Sequence, residues 1–71
     1  MHNPRLKILG INIKAERLKK GLSQEKLAEL INISLPTVSL IETGKQNTSV
    51  LNLIDIASTL DVEITKLIQD V

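Results

Sequence analysis

Helix start and stop signals recur along this 71-residue chain at intervals too short for anything but brief helices. Asn3 stands before Pro4, Ser23 before "QEKLAELI", Ser34 before "LPTVSLIE" and Ser49 before "VLNLIDIASTL". Each has a side-chain oxygen that can accept from the unpartnered amides of a first helical turn. Gly21, Asn32 and Gly44 tolerate the left-handed backbone with which helices commonly end, and Asp61 takes the turn before a last segment near 64–69. Pro36 falls in a first turn, where the missing amide had no intrahelical partner to lose. The pattern predicts an all-α fold, a compact bundle of five short helices joined by tight turns. Gly10 is discordant, because a mid-helix glycine costs about 1 kcal/mol relative to alanine. Residues 1–8 therefore read either as the start of the first helix or as an extension before a regular helix that begins near Gly10.

Composition restricts what such a bundle can bury. The chain has no Phe, Tyr, Trp or Cys, so Leu, Ile, Val and Ala must build the core without a disulfide or thiolate metal site to reinforce it. At 100° per residue, Leu53, Ile54, Ile56, Ala57 and Leu60 share about 160° of arc, which predicts the fourth helix as the central, most buried element. Ile64, Leu67, Ile68 and Val71 form one stripe on the fifth. The first helix carries two stripes, Leu6, Leu9 and Ile13 on one face and Ile8, Ile11, Ala15 and Leu18 roughly opposite. Either it is sandwiched, or one stripe meets a partner. In the third helix Val38, Ile41 and Glu42 point inward with Leu35 at the edge of that sector, while Pro36, Thr37, Ser39, Leu40 and Thr43 fall outside it. A carboxylate on an inner face must be paired or neutralised, and Arg17, on the Ile13 face of the first helix, is the cation available.

The formal net charge of +1 conceals a division. Residues 1–48 hold eight Lys/Arg against four acids, and residues 49–71 hold Lys66 against Asp55, Asp61, Glu63 and Asp70. A basic N-terminal half suits a polyanion, although a solvated face of mixed charge has the same composition. No apolar run approaches a membrane span of roughly 20 residues, and no signal-peptide pattern opens the chain, so a cytoplasmic protein with no membrane partner is expected. His2 reads as a solvated tail residue, and no Cys/His cluster has zinc spacing. The capping serines lack a nearby general base, and the glycines occur singly rather than in a phosphate-binding loop. No enzyme, metal, cofactor or small-molecule substrate is expected.

The run "INIKAERLKKGLSQEKLAELINISLPTVSLIETGKQNTSVLNLIDIASTLDVEITKL" resembles the Cro/CI-type helix-turn-helix family, the lambda-repressor-like DNA-binding domains. The resemblance covers about residues 9–68, leaving 69–71 as a tail, and rests most on "GLSQEKLA", "SLIETG" and "IASTLDV" at their mutual spacing. It implies a helix-turn-helix over about 24–43, with the recognition helix, about 35–43, in the major groove of double-stranded DNA and the preceding helix across the backbone. On that resemblance Gln24 would contact phosphate and brace the recognition helix. Leu35, Pro36 and Leu40 occupy the slots of base readers, and Thr37, Ser39 and Thr43 can donate to phosphates or bases. Lys45, Gln46 and Asn47 match a phosphate-contacting loop, and Arg17 with Glu42 matches a structural salt bridge between the first and third helices.

Leu35, Pro36 and Leu40 cannot supply the bidentate hydrogen bonds on which direct readout usually relies. Three accounts stay open: packing against thymine methyl groups, recognition of a protein instead of DNA, and a surface without a partner. The resemblance implies a repressor-like transcriptional regulator acting as a homodimer on a palindromic operator. The alternative is an antitoxin or antirepressor-like interaction module on the same fold. For the regulator, control would run through concentration, dimerisation or a regulatory protein partner. Ile68 with Val71, or Ile8 with Ile11, are the candidate dimer faces.

Overall fold

The computed structural model describes residues 3–71, so His2 lies outside the described residues. The helices are α1 Pro4–Lys19, α2 Gln24–Ile31, α3 Leu35–Glu42, α4 Val50–Leu60 and α5 Ile64–Leu67. All four expected N-caps form: Asn3, Ser23, Ser34 and Ser49 accept from the backbone amides of Arg5, Lys26, Thr37 and Asn52. The helix ends repeat one device. Gly21, Asn32, Gly44 and Asp61 all take positive φ, and the amide of the residue that follows each one bonds back five residues, as Lys45 does to the Leu40 carbonyl at 2.9 Å. This satisfies carbonyls that each helix would otherwise leave open and turns the chain sharply.

Leu9, Ile13, Leu27, Ala28, Ile31, Val38, Ile41, Ile56, Ala57, Leu60 and Leu67 form one core, drawn from every helix. α3 lies against α1 and α2, and α2 also packs on α4. α5 closes the far side against α1 and α4. Asn12 of α1 fixes that closure by donating to the carbonyls of Leu67 and Gln69, which the short α5 cannot satisfy itself.

The packing decides three points, one of them against expectation. α1 is regular from Pro4 straight through Gly10, because Gly10 is a crossing point rather than a helix breaker. A Cβ there would lie 2.5 Å from the carbonyl oxygens of Ile41 and Glu42, so only glycine lets α1 rest directly on the last turn of α3. α4 is not the most buried element. Its inner side carries Leu53, Ile56, Ala57 and Leu60, but Ile54, at the margin of the computed arc, is 47% exposed and joins Val50 and Leu51 on an open face. Ile68, placed with Val71 on a candidate dimer face, is exposed: α5 stops at Leu67 and the helical spacing that would turn it inward ends there. In α1 the Leu6, Leu9 and Ile13 face is the inner one, and Ile11, Ala15 and Leu18 are exposed.

Candidate nucleic-acid interface

α2 and α3 are joined by the three-residue turn Asn32–Ser34 and hold their mutual angle through buried Leu27, Ala28 and Ile31 against Val38 and Ile41. Beneath α3 lies an ionic network. Arg17 Nε and Nη2 donate to the two carboxylate oxygens of Glu42 at 2.7 and 3.0 Å, and Nη1 donates to the Leu22 carbonyl at 2.7 Å. Gln24 Nε2 donates to the same Glu42 Oε1 at 2.9 Å. The side chains of Arg17 and Glu42 are only 7% and 1% exposed, so the bidentate geometry and the third donor offset the loss of hydration. One carboxylate thereby ties α3 to α1 and to the first residue of α2.

With its inner side pinned, α3 turns Leu35, Pro36 and Leu40 to the surface, Leu35 at 42% and Leu40 at 39% exposure. Nothing in the core uses Pro36 or Leu40. The hydroxyls around them are largely committed to the protein. Thr43 Oγ1 donates to the Ser39 carbonyl at 2.8 Å, and Thr37 Oγ1 pairs with Ser34 Oγ at 2.7 Å. Thr43 thus presents lone pairs outward rather than a proton, and the Ser34–Thr37 pair keeps one proton free; the expectation that all three hydroxyls can donate narrows to Ser39 and that pair. Past Gly44 the exposed Lys45, Gln46 and Asn47 form the loop. Asn47 Oδ1 accepts from the Thr48 amide at 2.8 Å, which leaves its Nδ2 as the outward donor.

Beside this loop is a cleft of about 370 Å³ lined by Pro4, Lys7, Thr43, Gly44 and Lys45. Pro4 and Lys7 lie outside the sequence-derived interface. The signal that could have included them is the helical spacing of three from Lys7 to Gly10, which puts both on the side of α1 that meets α3.

The helix-turn-helix family model matches residues 13–67. The chain belongs to that Cro/CI-type helix-turn-helix family. It is 36% identical over 58 residues to the control protein C.MunI of Mycoplasma sp, covering 82% of this chain and 78% of that protein. The restriction-modification controller protein C.AhdI from Aeromonas hydrophila superposes with a TM-score of 0.87 at 35% identity, covering 92% of this chain and 98% of that one. The biofilm master regulator SinR, in a structure with DNA, superposes with a TM-score of 0.80 at 34% identity over 86% of this chain and 98% of that one.

As a helix-turn-helix protein this chain is a DNA-binding regulator of transcription and not an enzyme. Of the residues singled out from the sequence, Arg17, Glu42 and Gln24 come together in one buried network. Leu35, Pro36, Leu40, Lys45, Gln46 and Asn47 share the outward face of α3 and its following loop. Gln24, at the start of α2, donates to Glu42 of α3. No helix among the described residues is long and apolar enough to cross a membrane.

Proposed function

We propose that this protein is a repressor-like regulator that binds a palindromic operator as a homodimer, with α3 in the major groove. Leu35, Pro36 and Leu40 pack against thymine methyls there, Gln24 and the Lys45–Asn47 loop take backbone phosphates, and the buried ionic network sets the angle of approach. The observation that carries this reading is the contrast between the two sides of α3: one is locked by Glu42, and the other is apolar, exposed and unused by the core. Apolar contacts discriminate weakly, so specificity draws also on duplex shape and on the second half-site.

The domain extends 30 Å along its longest axis, less than one duplex turn of about 34 Å, so one copy covers a single half-site. The dimer forms through the open face of α4, where Val50 and Leu51 are 70% and 72% exposed beside Ile54. That face displaces the two expected from the sequence. Val71 is partly covered by the core and its carbonyl accepts from Arg5 Nε, and Ile11 stands on α1 among lysines. Likeness to a restriction-modification controller favours the genes of such a system as targets.

The test is to mix the protein with fragmented genomic DNA, recover the bound fragments and sequence them. A thymine-containing palindrome with half-sites about one turn apart is the expected result. Absence of any enriched sequence would overturn the proposal in favour of the interaction-module alternative.

A further inference from the structure

We propose that Lys7 of α1 and Lys45 of the loop after α3 form a fixed two-lysine cradle for the phosphodiester backbone of the bound duplex, which makes α1 part of the DNA interface. The inference rests on the reading of α3 as the groove-binding helix, and it adds a contact from outside the helix-turn-helix.

Two lysines near each other on a surface would carry little, since their side chains are long and mobile. Here their backbones are locked together. Gly44 sits at φ +75°, and a Cβ on it would lie 2.6 Å from the Lys7 Cα and 2.8 Å from the Lys7 nitrogen. The loop therefore touches α1 main chain to main chain at Lys7. One helical turn further on, Gly10 meets the Ile41 and Glu42 carbonyls in the same way. Two glycines from different elements thus fix both the position and the direction of α1 across the end of α3. The Lys45 backbone amide in turn donates a hydrogen bond to the Leu40 carbonyl.

Lys7 and Lys45 both line the same cleft, with Pro4, Thr43 and Gly44 completing its walls. Both residues are exposed. Neither has a carboxylate partner among the described residues, whereas Lys19, Lys20 and Lys26 are each within 4.0 Å of one. Thr43 directs its proton into the helix, so the cleft offers two cations and no acidic group. A polyanion running past the C-terminal end of α3 would meet this pair directly, because the backbone packing fixes the points from which the two side chains reach out.

The test uses the full chain and its selected operator, with affinity measured by fluorescence anisotropy over a series of KCl concentrations. Lys7→Gln and Lys45→Gln should each flatten the log-log salt dependence by about 1, and the double variant by about 2. Lys66→Gln, on α5, should leave the slope unchanged. Thermal melts of the lysine variants should match the parent, because the side chains are exposed. In duplexes carrying a single methylphosphonate, one position outside the α3 contacts should weaken the parent while leaving Lys7→Gln unaffected. A normal slope for Lys7→Gln with a reduced one for Lys45→Gln would overturn the cradle and leave α3 as the reader. No salt-dependent binding by the parent protein would overturn both.

Discussion

Arg17→Met provides the sharpest test of what holds the recognition helix in place. In the native protein the Glu42 carboxylate receives two bonds from Arg17 and one from Gln24 in a setting where it is almost fully shielded from water. Removing the guanidinium leaves one amide donor for a buried charge and opens the Leu22 carbonyl that Arg17 also serves. Breaking one partner of a buried pair typically costs about 3 to 5 kcal/mol. A domain of this length has a total stability on the order of 4 to 10 kcal/mol, so the variant should lose roughly 30% of it or more. Glu42→Leu should be similarly harmful, since it strands the guanidinium. Joining both substitutions removes both charges and replaces them with apolar groups of comparable size, so the double variant should recover by 1 kcal/mol or more relative to the sum. Urea unfolding followed by helical circular dichroism measures all four corners of the cycle. Additivity within about 0.5 kcal/mol would refute the coupling.

Gly44→Ala should destabilise more than Gly21→Ala. Both positions have positive φ, for which an alanine costs about 1 to 2 kcal/mol, but only Gly44 also lacks room for a Cβ, and denaturant midpoints would show equal losses if the α1 contact did not matter. Leu51→Asp should shift the protein from dimer to monomer in sedimentation at tens of micromolar without lowering monomer helicity. A dimer that survives Leu51→Asp and dissociates with Ile11→Asp would move the interface to α1.

The helix ends are legible in the sequence because capping is local: a serine and the amide it accepts from lie within three residues, and no long-range information is needed. The Arg17–Glu42 pair is legible for a different reason, since a carboxylate computed to face inward demands a cation. The resemblance gives Gln24 only a bracing role, and its bond to Glu42 comes from the fold. What periodicity cannot supply is which side of an apolar arc meets solvent. Ile54 lies within the arc that buries Ile56 and Leu60, but the open side of α4 begins at its margin, and only the positions of the other helices decide that. Gly10 misleads because propensity prices glycine by the helix it weakens and takes no account of the neighbour it admits. The Lys7 cleft leaves only the Lys7-to-Gly10 spacing as a trace in the sequence, because it is made by the approach of two backbones far apart in the chain.

The function of the domain depends on what the outward face of α3 touches. Leu40 and Pro36 are exposed and unused by the core, so Leu40→Ala leaves no cavity and should hardly change stability. Replacing a single operator thymine with uracil removes only a methyl group. The decisive measurement is the affinity of the parent and Leu40→Ala for the thymine and uracil operators. Uracil should weaken the parent, Leu40→Ala should weaken binding to the thymine site, and in Leu40→Ala the uracil penalty should largely disappear. Unchanged DNA affinity in Leu40→Ala, with loss of capture of a protein partner instead, would contradict the thymine-methyl contact.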